Sequence, residues 1–212
     1  MTDRSKVAEC LREAPIIGVV RTHSNDEAVS QAESFIAGGI LLIEITFTVP
    51  NGPDLVRQLQ AARDRDGPPC IGMGSVTNDS RAREAIAAGA EFIVSPNAHA
   101  GVAGVANEAG VFLVVGALTP TEIVAGHQMG ADIIKVYPLP PVGGAGYLST
   151  VRQPLGDIPM LAAGGFGPDE IPDYRAAGAQ AFGIGAPLLG ASADESREKI
   201  QRALTLARGE AV

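Results

Sequence analysis

Short runs of apolar residues alternate along this chain with longer segments that mix apolar and polar positions. Each run has the four to six residues typical of a β-strand buried on both faces, and each is too short for a confident helix. The predicted strands are Ile16–Val20, Leu41–Thr46, Cys70–Gly74, Phe92–Ser95, Val111–Val115, Ile133–Val136, Met160–Ala163 and Ala181–Gly185. The segments between them predict helices, so the pattern indicates a repeated strand-helix unit.

Capping residues and glycines mark the ends of the predicted helices. Thr119, Pro120 and Glu122 begin one helix in the order of cap, proline and acid, and Gly130 ends it. Similar signals predict helices over about 3–13, 53–64, 99–109, 145–155 and 194–208, and from Ser24 to Gly38, Asn78 to Gly89 and Pro168 to Gly178.

The junction between a helix and the following strand repeatedly contains Gly-Ala or a near variant. It is found at 88–90, 129–131 and 177–179, and neighbouring units are about 20 residues apart, the size of one β/α unit. Strands that are each followed by a helix form a parallel sheet. Eight units predict an α/β fold, a single (β/α)8 TIM barrel over residues 1–212 with an extra amino-terminal helix. An open doubly wound sheet is the alternative, and the count of eight weighs against it.

Composition narrows the possible partners and location. The chain has 212 residues, 46% of them hydrophobic, and a net charge of −8 with no basic cluster. This argues against nucleic acid or an anionic membrane surface as a partner. No apolar run reaches the roughly 18 residues that span a bilayer. Cys10 and Cys70 lie far apart in the sequence, and no signal peptide is seen, so free thiols and a cytoplasmic location are expected.

Lys135 is the residue around which the candidate chemistry is arranged. It lies within the apolar strand Ile133–Val136, and Pro138 follows that strand. Lysine is rarely buried, and desolvation disfavours the charged form of an amine, which makes the amine a better nucleophile. The alternatives are a lysine that extends to solvent at the strand end, or one that pairs with a neighbouring carboxylate.

In a barrel, the reactive groups lie at the carboxyl ends of the strands and in the loops that follow. The residues at those ends are Arg21, Glu44, Thr46, Thr48, Gly74, Ser75, Ser95, Pro96, Asn97, Thr119, Lys135, Tyr137, Gly164, Gly165, Gly185 and Ala186. The two-residue period of a strand places Glu44 on the face of Thr46, and Lys135 on the face of Tyr137. If both faces point inward, an acid and a lysine share one chamber. A lysine can form an iminium ion with a ketone, and a carboxyl group can move the protons, although a structural ion pair is the simpler alternative.

Glycines at the ends of the last two strands indicate a second feature. Gly164, Gly165 and Gly185 leave backbone N–H groups available, and barrels commonly bind phosphate at this place. Ordinary tight turns are the alternative interpretation. His23, His99 and His127 lack the spacing of metal ligands, so neither a metal nor a cofactor is expected.

Five ordered motifs resemble the family of 2-keto-3-deoxy-6-phosphogluconate (KDPG) aldolases, which includes the 4-hydroxy-2-oxoglutarate (KHG) and 2-keto-3-deoxy-6-phosphogalactonate aldolases. The motifs are Gly39 with Ile43-Glu44-Ile45, Ile71–Val76, Ile93–Asn97, Ile134–Pro138 and Ala163–Gly165. The resemblance covers nearly the whole chain. It implies a metal-independent class I aldolase that is a homotrimer and acts on a small keto acid.

The same resemblance implies roles for single residues. Lys135 would be the Schiff-base lysine, and Glu44 the acid and base. Ser75 takes the position of a threonine that helps, beside Gly74, to hold the pyruvyl carboxylate. Two positions depart from the family: Thr48 stands where gluconate-type members have an arginine, and Ala186 stands where relatives have a serine at the phosphate.

Arg21 resembles the arginine of galactonate-type members, and an arginine offers a carboxylate two parallel hydrogen bonds. It is therefore expected to take over the role of the arginine missing at Thr48. Thr46, Thr48, Pro96 and Tyr137 are expected to line the pocket. The galactonate-like features favour the galactonate epimer as the substrate.

Two other functions fit a barrel with a phosphate site. One is an isomerase, epimerase or synthase in which Lys135 acts only as a charge, and the other is a barrel that binds a metabolite without catalysis. Only the aldolase forms a covalent adduct with pyruvate, so borohydride reduction in its presence separates the three functions.

Overall fold

The computed structural model describes residues 4–64 and 67–210. Its strands are β1 (Ile16–Val20), β2 (Leu42–Thr46), β3 (Cys70–Gly74), β4 (Phe92–Ser95), β5 (Phe112–Ala117), β6 (Ile133–Val136), β7 (Met160–Ala163) and β8 (Ala181–Ile184). Each strand pairs in parallel with the next, and β8 pairs with β1, which closes the barrel. The predicted (β/α)8 barrel is confirmed, and the open doubly wound sheet is excluded.

Helices surround the strands. They are α1 (Arg4–Glu13), α2 (Asn25–Gly38), α3 (Gly52–Ala61), α4 (Asp79–Ala87), α5 (Ala100–Ala109), α6 (Pro120–Gln128), α7 (Gly144–Arg152), α8 (Ile171–Ala176) and α9 (Ala193–Arg208). Short 3-10 turns lie at Pro140–Val142, Gln153–Leu155, Pro168–Glu170 and Ala186–Leu188. The helix α1 precedes the first strand, which confirms the extra amino-terminal helix; residue 3 of the predicted segment lies outside the described residues.

Apolar side chains fill the barrel interior near the amino-terminal ends of the strands. Ile17, Leu42, Phe92 and Phe112 point inward and pack in one cluster with the buried face of α1. Cys10 on α1 and Cys70 on β3 belong to this cluster, and their Sγ atoms lie 3.8 Å apart although the residues are far apart in sequence. The helix α1 thus closes the amino-terminal end of the barrel, and the opposite end is open.

An ion-pair network fastens α1 and α3 to that closed end. Glu91, just before β4, is buried, and its carboxylate accepts hydrogen bonds from Lys6, Gln60, Arg63 and the backbone N–H of Ile71. A buried carboxylate needs such partners to offset the cost of desolvation. The network therefore joins α1, α3 and β3 to the residue that precedes β4.

Several element boundaries differ from the sequence prediction by one to three residues. The helix α3 ends at Ala61 rather than near Asp64, and the Arg63 side chain donates to the carbonyls of Asp64 and Gly67. The strand β5 extends to Ala117 because Gly116 and Ala117 pair with β6. No helix within the described ranges is long and apolar enough to cross a membrane.

Candidate active site

Lys135 and Glu44 meet inside the barrel, near the open end. They lie on β6 and β2, which are on opposite sides of a ring of eight strands. The Lys135 Nζ atom is 3.9 Å from Glu44 Oε2, and the two side chains are only 12% and 2% exposed. The Lys135 Nζ atom also lies 5.4 Å from the centre of the Tyr137 ring. An amine and a carboxyl group therefore share a chamber that is largely closed to water.

Glycine at position 74 makes room for the carboxyl group of Glu44. A Cβ atom at Gly74 would lie 1.9 Å from Glu44 Oε1, well inside the distance at which atoms clash. Any larger residue would push the carboxylate away from Lys135. The next residue, Ser75, has a φ of +58°, an uncommon backbone conformation for a non-glycine residue that is often found at functional sites.

Arg21 lies in the loop after β1 and reaches two neighbouring loops. Its Nη1 atom is 3.5 Å from Thr48 Oγ1, and its Nη2 atom is 3.5 Å from Ser75 Oγ. A guanidinium has five N–H groups, so three remain for a ligand after these two contacts. The guanidinium is thus directed towards the side of the barrel where Glu44 and Gly74 lie.

Thr46 and Thr48 are joined to each other by a short hydrogen bond. Their Oγ1 atoms are 2.7 Å apart, and Thr46 Oγ1 also donates to the Val20 carbonyl at 3.0 Å. Thr46 is fully buried, whereas Thr48 is exposed. Neither threonine lies in the cavity that is lined by Lys135.

That cavity, of about 390 Å³, opens at the carboxyl ends of β1, β6, β7 and β8. Its lining contains six of the predicted site residues, namely Arg21, Lys135, Tyr137, Gly164, Gly165 and Gly185, and also Ala186. Gly164 and Gly165 have φ angles of +141° and +88°, which favour glycine. No described backbone or side-chain group accepts a hydrogen bond from the N–H groups of Gly164, Gly165 or Gly185. These amides are therefore available to an anion.

Pro96 lies apart from this cavity. It is exposed, and its backbone covers Gly116 of β5, where an added Cβ atom would come within 2.3 Å of the Pro96 carbonyl group. Tyr137 is 42% exposed and forms part of the rim. The structure thus places Pro96 on the β4–β5 side and Tyr137 on the β6 side.

Some residues of the site were missed by sequence reasoning. Arg81 of α4 donates to the Ser75 carbonyl at 3.3 Å and to Thr77 Oγ1 at 3.2 Å, and its guanidinium lies 5.1 Å from the centre of the Phe47 ring. It supports the loop that presents Ser75, and no local pattern marks it. Val19, Ala163 and Gly183 also line the cavity. Their small size and inward strand parity are signals that sequence reasoning could have used.

A larger cavity of about 830 Å³ lies at the amino-terminal end, between α1, α8 and α9. It is lined by apolar residues such as Leu11 and Phe112 and by Arg12, Arg175 and Asp132. Its lining contains no lysine, so the chemistry is assigned to the smaller cavity, which is lined by Lys135. Within residues 4–64 and 67–210, no three His, Cys, Asp or Glu side chains are grouped so as to hold a metal ion.

Comparisons with known proteins agree with this geometry. A family model described as KDPG and KHG aldolase matches residues 7–203. A Rhizobium meliloti (strain 1021) protein named "Probable 2-dehydro-3-deoxy-6-phosphogalactonate aldolase" is 33% identical over 205 residues, which cover 94% of this chain and 93% of that protein. A 2-dehydro-3-deoxy-phosphogluconate aldolase of Dickeya dadantii (strain 3937) is 29% identical, with coverage of 82% and 80%. A solved structure described as native KDPGal matches with a TM-score of 0.82 and 25% identity, over 92% of this chain and 95% of that one.

Proposed function

Because the chain belongs to the KDPG and KHG aldolase family, we propose that it cleaves a 2-keto-3-deoxy-6-phospho sugar acid to pyruvate and glyceraldehyde 3-phosphate. The observation that carries this proposal is the distance of 3.9 Å between the Lys135 amine and the Glu44 carboxylate inside the barrel. The products are those expected of the gluconate and galactonate types alike. We propose further that residues 1–212 form one aldolase domain.

Lys135 is the proposed nucleophile. Its neutral amine attacks the C2 ketone to give a carbinolamine, and loss of water gives an iminium ion. The bond between C3 and C4 then breaks, and its electron pair moves towards the iminium nitrogen to form an enamine. The aldehyde is released from C4, and protonation of the enamine at C3 followed by addition of water releases pyruvate and the amine.

Glu44 is the proposed acid and base for these steps. Its carboxyl group can supply the proton that leaves with water and accept the proton of the C4 hydroxyl group as the C3–C4 bond breaks. The Glu44 carboxyl group lies 3.9 Å from the Lys135 amine. It is therefore close to the substrate carbon that becomes bonded to that amine and to the neighbouring substrate atoms. Burial of both groups keeps bulk water from competing for these protons.

Arg21 and Ser75 are proposed to hold the pyruvyl carboxylate, together with the backbone near Gly74. The support for this assignment is the approach of the Arg21 guanidinium to Thr48 and Ser75, each at 3.5 Å. A threonine at position 48 cannot form the paired, charged hydrogen bonds of an arginine. Arg21 reaches the same place from the loop after β1.

The 6-phosphate is proposed to bind the amides of Gly164, Gly165 and Gly185. These glycines line the cavity with Lys135, and their N–H groups have no acceptor in the described chain. Ala186 removes the hydroxyl group that relatives place there. One neutral hydrogen bond is worth only about 0.5–1.5 kcal/mol, so phosphate recognition is expected to persist in weakened form.

Reduction with borohydride in the presence of pyruvate tests the function. We expect a covalent adduct, and mass spectrometry after proteolysis should place the reduced pyruvyl group on Lys135. A barrel in which Lys135 acts only as a charge, or a barrel that only binds metabolites, forms no such adduct. A chain that remains unmodified while a known class I aldolase reacts in parallel would rule out the proposal.

Assembly and location complete the proposal. We propose a homotrimer, as the family resemblance implies, and a cytoplasmic location, which suits a chain whose two cysteines are free. Sedimentation at working concentration tests the assembly. A monomer that is fully active would contradict the trimer.

A further inference from the structure

The hydroxyl group of Thr46 is buried beneath the hydroxyl group of Thr48, which Arg21 contacts. Thr46 has no exposed surface, so water cannot reach its side chain. Its Oγ1 atom lies 3.0 Å from the Val20 carbonyl and 2.7 Å from Thr48 Oγ1. Thr48 Oγ1 in turn lies 3.5 Å from Arg21 Nη1. Four polar groups from β1, β2 and their loops thus form one chain of hydrogen bonds.

Counting hydrogen atoms fixes the direction of every bond in this chain. The Val20 carbonyl can only accept, so the single hydroxyl hydrogen of Thr46 is donated to it. Thr46 must then accept from Thr48, which uses the single hydrogen of the Thr48 hydroxyl group. The lone pairs of Thr48 are left for a donor, and Arg21 is that donor.

We propose that Thr46 is a positioning residue, which acts through Thr48 to fix the orientation of the Arg21 guanidinium. Without Thr46, the Thr48 hydroxyl loses the acceptor of its hydrogen, so the oxygen that accepts from Arg21 is no longer held in one position. This inference rests on the proposed function for the identity of the bound group, the carboxylate of a 2-keto acid.

The arrangement matters because Arg21 is exposed and long. An exposed arginine loses about 2 kcal/mol of rotational freedom when it is fixed. A relay anchored on a buried carbonyl restricts the side chain before the substrate arrives. Binding of the carboxylate then costs less, which lowers the concentration needed for half-saturation without changing the chemistry at Lys135.

The test measures the pyruvate concentration that gives half-maximal borohydride trapping, together with the trapping rate at saturation. Thr46→Val keeps the shape and removes the hydroxyl group. We expect half-saturation to need about 3- to 10-fold more pyruvate, as for the loss of one neutral hydrogen bond, with little change in the saturating rate. Thr46→Ser retains the hydroxyl group and should restore most of the affinity.

Two further variants separate positioning from a general loss of packing. In an Arg21→Ala background, Thr46→Val should cause no additional loss, because the group that it positions is absent. Thr150→Val removes a hydroxyl group that also donates to a backbone carbonyl, that of Gly146, but on α7 outside the cavity lining. It should leave trapping unchanged. Equal losses from Thr46→Val with and without Arg21, or no rescue by serine, would overturn the inference.

A measurement independent of catalysis covers the case in which the proposed function fails. ¹⁵N relaxation of the Arg21 Nε–H group reports how well the guanidinium is oriented. We expect restricted motion in the unmodified chain and increased motion in Thr46→Val, but not in Thr150→Val. Unchanged motion in Thr46→Val would overturn the positioning role even if the chain proves to be an aldolase. Lack of a pyruvate adduct in the unmodified chain would overturn the function alone.

Discussion

At the scale of single residues, Lys135 differs from the two other lysines of the chain in its surroundings. Lys6 pairs with Glu91 at the closed end, and the side chain of Lys199 is 44% exposed on α9. Lys135→Ala should therefore abolish both pyruvate trapping and cleavage while the barrel still folds, as measured by circular dichroism. Lys199→Ala is the matched control and should keep both. Trapping that persists without Lys135 would place the imine on another amine.

Glu44 allows a second prediction at this scale. Glu44→Gln keeps the size of the side chain but cannot move a proton, so turnover should fall by roughly 100-fold or more. The change also removes the charge beside Lys135, so thermal unfolding should be recorded with the turnover. Glu9→Gln alters an exposed carboxylate on α1 and should have no effect on turnover. Near-normal turnover in Glu44→Gln would leave Glu44 as a structural partner of the lysine.

Ala186 allows a prediction about the substrate. Ala186→Ser adds the hydroxyl group that the family resemblance implies at this position and should increase the preference for phosphorylated over unphosphorylated substrate by about 2- to 10-fold. Cleavage of the gluconate and galactonate epimers, each with and without the 6-phosphate, measures this preference. We expect the galactonate epimer to be cleaved faster. Equal rates without the phosphate would remove the proposed role of the glycine amides.

At the scale of elements, Glu91 links the stability of the barrel to pH. Burial raises the pKa of its carboxyl group, but the bonds from Lys6, Ile71, Gln60 and Arg63 outweigh burial and lower the pKa below its usual range. The stability that this group contributes is present in full above the usual glutamate pKa of about 4.3. It is lost as the pH falls through the lowered pKa of the folded protein.

Glu91→Gln should therefore destabilise the protein at neutral pH by about 3–5 kcal/mol, because cationic partners lose a buried counter-charge. Denaturant unfolding at several pH values measures the free energy of unfolding for both proteins. The difference between them should shrink as the pH falls below about 4, since the protonated glutamate resembles glutamine. A difference that is constant with pH would show that the carboxylate charge is not what stabilises this junction.

The elements also show how far the sequence could be interpreted. Each strand and helix carries its own apolar period and end signals, so the barrel, the inward faces of β2 and β6 and the pairing of Glu44 with Lys135 could be predicted. The support of Ser75 by Arg81 could not, since it joins a helix to a loop through one backbone carbonyl. The sequence also places the end of α3 too late, because Arg63 bonds to the Gly67 carbonyl, which only the folded loop brings near.

At the scale of the whole molecule, the two ends of the barrel differ in the side chains that they contain. The amino-terminal end is filled by apolar side chains and closed by α1, and the Glu91 network ties it together. The open end holds Lys135, Glu44 and glycines with available amides. Changes at the closed end should therefore affect unfolding more than turnover, and changes at the open end should do the opposite.

The position of β2 and β6 on opposite sides of the ring has a consequence for how the protein could be divided. A cut at Gly110, between α5 and β5, leaves Glu44 in one fragment and Lys135 in the other. Neither half-barrel contains both groups, so neither fragment alone should cleave the sugar acid. When the two fragments are produced together, turnover should return only in those molecules in which the halves have docked. Turnover would then be proportional to the amount of assembled barrel. Variants whose halves bind each other more tightly could be selected by growth on the sugar acid.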